Sequence, residues 1–147
     1  MYAISLSQNA LNGIAEARQG NTTKGSRLLE EALRETDDPV VLAWYGYCLG
    51  REGQGYSRAL QLCLGALQKD PDNAEVCLAL GRLYLVGKRR MAAINILQKG
   101  FRLGGSAEIG RLLQSMGTRK RPVIPFLPRE NPLNVTAGRI LAKWGWR

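Results

Sequence analysis

The chain has 147 residues, of which 45% are hydrophobic, and 21 Lys or Arg against 12 Asp or Glu give it a net charge of +9 with no histidine. That length is one domain's worth, and the apolar fraction suffices for an ordinary core, so nothing suggests global disorder. The lack of histidine removes Ser-His and Cys-His nucleophile pairs, histidine metal sites and the commonest general base. The remaining acids lie mainly at helix ends and loops, such as Asp37, Asp38, Asp70 and Asp72, so neither an enzyme, nor a cofactor, nor a small-molecule substrate is expected. Cys48, Cys63 and Cys77 are widely spaced within apolar helical pattern, without a C-x-x-C pair. They are expected to be small core residues and not metal ligands. No run approaches the roughly 18 apolar residues of a membrane span. The opening MYAISLSQNALNG lacks the basic start and apolar block of a secretory signal, so a cytoplasmic location is the expectation.

Taken in order, residues from about 6 to 38 begin with a weakly patterned helix whose inward face is expected to hold Leu6, Ala10, Leu11 and Ile14. The helix after it, GSRLLEEALRE, is well patterned. From 39 to 72 the pattern repeats, with Leu42, Tyr45, Gly46 and Leu49 on the first helix, the turn REGQGYSRA, and Tyr56 expected beside Ala59. Asp37-Asp38-Pro39 and Asp70-Pro71-Asp72-Asn73 punctuate the chain. The residue before a proline is disfavoured in a helix, and Asn73 can accept a hydrogen bond from the free amides of the next one.

The stretch 73 to 105 is the clearest. Cys77, Leu80, Gly81 and Tyr84 recur at i, i+3, i+4 and i+7 on one face, and Ala93, Leu97 and Gly100 form a second face widened by Ile94, Ile96 and Phe101. Gly81 and Ala93 are small where two antiparallel helices must approach. The second-helix positions recur: Gly25, Ala59 and Ala93 align, as do Leu29, Cys63 and Leu97, then Ala32, Ala66 and Gly100. Leu28, Leu62 and Ile96 form a fourth column, and Leu33, Leu67 and Phe101 a fifth. The spacing, about 34 residues, and the positions of Leu80, Gly81, Tyr84, Ala93 and Leu97 resemble the tetratricopeptide repeat. Gly13 and Gly20 also fall where that family places glycine, whereas Asn9, Asn12 and Glu16 stand where it places apolar residues.

The resemblance implies an all-α superhelix of about three helix-turn-helix repeats, at 6–38, 39–72 and 73–105. A capping helix over 106–117 is read from SAEIGRLLQSMG, with Ser106 as cap, Ile109, Leu112, Leu113 and Met116 as stripe and Gly117 as stop. It also implies a non-enzymatic scaffold or adaptor that binds a partner protein or peptide in a groove lined by the first helices. Carried over by position, the groove candidates are Ile14, Arg18, Ala43, Tyr47, Arg51, Glu75, Leu78, Arg82 and Leu85; Tyr47, Arg51, Leu78, Arg82 and Leu85 are selected for partner binding. Leu78 and Leu85 lie off the Cys77, Leu80 and Tyr84 face, where they either meet a ligand or pack on a neighbouring helix. Positions at which some family members clamp a C-terminal carboxylate hold Ala10, Ile14, Trp44, Glu75 and Ala79 here, so that clamp is not expected.

Residues 118–147 differ in character. They hold seven Lys or Arg and one acid, or +6 of the total charge, with prolines at 122, 125, 128 and 132, and a short helix is expected to contain Ile140, Leu141 and Trp144. The apolar run Val123 to Leu127, with Phe126, suits a ligand for the chain's own helices. Alternatively Arg119, Lys120 and Arg121, with Trp144, would dock the chain on an anionic surface, either nucleic acid or membrane. Self-association is a further class of partner.

Overall fold

The computed structural model describes residues 5–117, and among them the chain forms seven α-helices: α1 (Gln8–Arg18), α2 (Thr22–Glu35), α3 (Pro39–Arg51), α4 (Tyr56–Lys69), α5 (Ala74–Val86), α6 (Arg90–Arg102) and α7 (Ala107–Met116). They pair as α1/α2, α3/α4 and α5/α6, with α7 against α6. The first helices also touch in succession, α1 to α3 and α3 to α5, while α2 meets α3 and α4 meets α5. This is the stack of helical hairpins with a capping helix that the resemblance implies. Among the described residues no helix is long and apolar enough to cross a membrane.

The punctuation residues act as their chemistry requires. Asp38 accepts from the amides of Val40 and Val41 at 2.8 and 3.3 Å, with Pro39 starting α3. Asn73 accepts from those of Glu75 and Val76 at 2.9 and 3.4 Å. Ser7 caps α1 in the same way through the Ala10 amide. Each cap satisfies amides that no preceding helical turn can reach.

The helix exits share one geometry. After α1, α3, α5 and α6 the amides of Asn21, Gln54, Arg89 and Gly105 reach back five residues to the carbonyls of Glu16, Leu49, Tyr84 and Gly100, at 2.8 to 3.0 Å. The residue before each, Gly20, Gly53, Lys88 and Gly104, has φ between +57° and +91° and bonds three residues back. This left-handed closure favours glycine, and Lys88 is the exception. The middle turn is longer because Gly55, also at positive φ, precedes α4.

Packing within hairpins follows the aligned columns. Gly25, Ala59 and Ala93 are buried, as are Leu29, Cys63 and Leu97, and Ala32, Ala66 and Gly100. A Cβ placed on Gly81 would lie 2.5 Å from Leu97 Cδ2, and one on Gly46 would lie 2.9 Å from both the Ala59 carbonyl oxygen and Cys63 Sγ. The missing side chains are therefore what let the partner helix in. Cys63 also donates its thiol to the Ala43 carbonyl at 3.2 Å. Burial pushes the Cys48 and Cys63 thiols up to about 12, so neither carries thiolate at neutral pH.

Two expectations are corrected. Leu11 is 49% exposed, because Ala10, Gly13, Ile14 and Ala17 form the buried face of α1. Phe101 is 54% exposed, one position beyond the buried Gly100. Tyr56 also lies against Gly87, where a Cβ would come within 2.3 Å of its ring, so it reaches the end of the next repeat's first helix. The polar residues of α1 are accommodated at its surface: Asn9 donates to Glu31 at 3.5 Å and Asn12 accepts from Gln8 at 3.0 Å. Glu16 accepts from Lys24 and Asn21, and these hydrogen bonds hold its carboxyl below the usual range.

Candidate functional site

The face bearing the first helices is organised on Trp44 of α3, which has no exposed surface. The guanidinium carbons of Arg18, at the end of α1, and Arg82, in α5, each stand 5.5 Å from its ring centroid. The Trp44 indole nitrogen donates to Glu75 at 3.3 Å, and Glu75 also accepts from Arg18 through both carboxylate oxygens. Arg82 pairs with Glu108 of α7, while Arg18 Nε lies 3.9 Å from the same carboxylate. Arg82 also donates to the Arg18 carbonyl at 3.4 Å. Tyr47, one turn beyond Trp44, meets it edge-on at 5.6 Å between centroids and lies 5.9 Å from the Arg82 guanidinium.

Helices α1, α3, α5 and α7 are thus joined through one aromatic pair, two arginines and two glutamates. The two charges of each sign cancel. Arg82 and Glu108 retain only 18% and 20% of their side-chain exposure, so this pair is less screened than surface pairs, which are worth about 0–1 kcal/mol. The cation–π contacts add about 0.5–2 kcal/mol each, depending on desolvation. Arg82 Nε is buried and has no hydrogen-bond acceptor, so the two rings, Glu108 and the Arg18 carbonyl carry that guanidinium's interactions.

Arg51 differs from these arginines. It ends α3, is exposed, and its guanidinium donates to the Tyr47 hydroxyl at 3.4 Å, but among the described residues it has no carboxylate partner. Beside it opens a cavity of about 410 Å³ lined by Tyr47, Arg51, Arg82, Leu85, Val86 and Leu112. A second cavity of about 420 Å³ lies at the other end of the face, with Leu6, Leu11, Ile14, Val40 and the Arg18–Glu75 pair in its walls.

Of the residues selected from the sequence, Tyr47, Arg51, Arg82 and Leu85 therefore meet at one cavity. Leu78 has no exposed surface and belongs to the core, leaving Leu85 as the accessible member of that pair. Arg119, Lys120, Arg121, Phe126 and Trp144 lie outside the described residues, as does the expected C-terminal helix. The sequence reading did not place Glu108 or Leu112 at this face, because both belong to α7, whose apolar stripe reports packing and not which helices its other residues meet. Trp44 was read only as a departure from the carboxylate clamp. Its run Trp44 to Tyr47 was a usable signal, since two large aromatics on one helical turn need a common packing partner.

Comparison with known families bears on this geometry. The tetratricopeptide repeat family model matches residues 51–115, from the last residue of α3 into α7. That stretch carries tetratricopeptide repeats. The matched stretch includes Arg51, Arg82, Leu85, Glu108 and Leu112, whereas Arg18, Trp44 and Tyr47 precede it. Tetratricopeptide repeats generally mediate protein–protein interaction. No curated protein matches the chain.

Proposed function

We propose that the chain is an adaptor that receives a peptide, or an extended segment of a partner protein, on the face formed by α1, α3, α5 and α7. The observation that supports this most is the cavity between α3, α5 and α7, where Leu85, Val86 and Leu112 stand beside Arg51, which has no carboxylate partner among the described residues. Its volume, about 410 Å³, lies in the range of small ligand pockets, about 300–1,000 Å³, and suits one or two inserted side chains. The charge network supports the reading in a second way. It joins the four helices side chain to side chain, so the face need not order itself when a partner arrives, which lowers the cost of binding. The runner-up, docking on an anionic surface, is supported by the +6 carried by residues 118–147.

The test compares two single substitutions for retention of the partner that the full chain recovers from its native cell. Leu85→Asp places a charge in the cavity and should weaken retention about tenfold or more. Leu64→Asp alters an exposed apolar residue on the α4–α6 side and should leave retention unchanged. Helical circular dichroism checks that both variants fold. The opposite pattern would move the binding surface to α4 and α6, and retention lost only on removing residues 118–147 would favour the runner-up.

A further inference from the structure

The charges around the α3–α5–α7 cavity are not equivalent. Arg18 and Arg82 are neutralised within the face by Glu75 and Glu108. Arg51 is held beside the cavity by Tyr47, yet among the described residues it has no acid of its own. The neighbouring Glu52 is engaged elsewhere, accepting from Ser26 of α2 at 3.4 Å and from Gln54 at 3.0 Å. Beyond Val86, Arg89 stands 6.0 Å from the Tyr84 ring, away from the cavity's lining. Arg51 is thus the cation at the mouth of this cavity without a carboxylate partner among the described residues, above an apolar floor.

A cation in the last turn of a helix is favourable without any ligand, since it complements the negative end of the helix dipole. That accounts for a basic residue at Arg51. It does not account for the side chain being directed along α3 to a buried tyrosine at the mouth of an apolar cavity. A carboxylate approaching the C-terminal ends of α3 and α5 meets the negative ends of their dipoles and is disfavoured unless a cation intervenes. Arg51 is the residue placed to do so, and a guanidinium matches a carboxylate with two parallel N–H donors.

We infer, resting on the binding face proposed above, that this cavity selects an acidic-apolar peptide motif. A Leu, Ile, Val or Phe side chain enters between Leu85, Val86 and Leu112. An Asp or Glu within about three residues of it, a reach of about 10 Å in extended chain, pairs with Arg51. The carboxylate is a side-chain one, so the motif is internal and needs no free C-terminus.

A library of random short peptides with blocked termini, selected on the immobilised full chain, tests this. The expected consensus has an acidic residue beside an aliphatic or aromatic one. Selected peptides should bind Arg51→Gln about five- to tenfold more weakly, and selection on Arg51→Glu should replace the acidic position with a basic one. A consensus that lacks an acid, yet is lost on Leu85→Asp, would overturn the charge selection and leave the binding face standing. Peptides enriched equally on the unsubstituted chain and on Leu85→Asp, or no enrichment at all, would overturn both.

Discussion

Glycine is where single residues decide this structure, and it acts in opposite directions at different sites. Gly81 has Leu97 Cδ2 and Cγ at 2.5 and 2.6 Å from where a Cβ would sit, whereas Gly65 of α4 has nothing within 4 Å. Gly→Ala within a helix gains about 1 kcal/mol from propensity, while overpacking a core contact costs about 1–3 kcal/mol. We therefore expect Gly81→Ala to destabilise by up to about 2 kcal/mol and Gly65→Ala to stabilise by up to about 1 kcal/mol. Urea titration would show opposite shifts in midpoint at constant slope; a gain at both positions would mean that Leu97 does not hold α6 against α5. The role of Gly81 was legible in the sequence, because its spacing from Leu80 and Tyr84 put a gap where the facing helix carries Ala93. Trp44 was not legible to the same degree. Its burial depends on Arg18, Glu75 and Arg82, which lie in other helices, and no local period links residues so far apart.

At the scale of helices and turns, boundaries were easier to read than faces. Asp38 and Asn73 cap as their side chains suggest, since a cap is set by residues two or three positions away. On α1 the expected Ala10 and Ile14 are inward, but Gly13 and Ala17 complete that face with smaller residues in place of Leu11. Only the facing α2, with Leu29 within 3 Å of where a Gly13 Cβ would lie, settles which set is inward. The four helix exits make a separate prediction. Lys88 adopts φ +57° at the position filled by Gly20, Gly53 and Gly104 in the others, and left-handed backbone costs about 1–2 kcal/mol outside glycine. Part of that is offset by the greater unfolded-state freedom of glycine. Lys88→Gly should raise stability by about 0.5–1 kcal/mol, read as a rise in thermal midpoint of a few degrees. An unchanged or lower midpoint would show that the Lys88 side chain contributes more than its backbone costs.

For the molecule as a whole, the repeat period conveyed how hairpins stack and little of what the stacked face presents. Stacking rests on small and apolar columns that recur, Gly25/Ala59/Ala93 and Leu29/Cys63/Leu97 among them, and recurrence is visible in a single sequence. The binding face rests mainly on residues that differ from repeat to repeat. Glu75 and Glu108 do recur, each as the second residue of its helix, but Arg18, Trp44 and Arg82 do not, and the five become a unit only when α1, α3, α5 and α7 are assembled. That unit supports the α3–α5–α7 cavity, and the central claim is that a partner protein enters there. The most direct measurement is site-specific photo-crosslinking in the native cell, with a photoreactive side chain at position 112 in one full-length protein and at position 61 in another. Leu112 lines the cavity, and Gln61 is an exposed residue of α4 on the other side of the hairpins. A partner adduct from position 112 and none from position 61 is the expected result; an adduct from position 61 alone, or equal adducts from both, would contradict entry at this cavity.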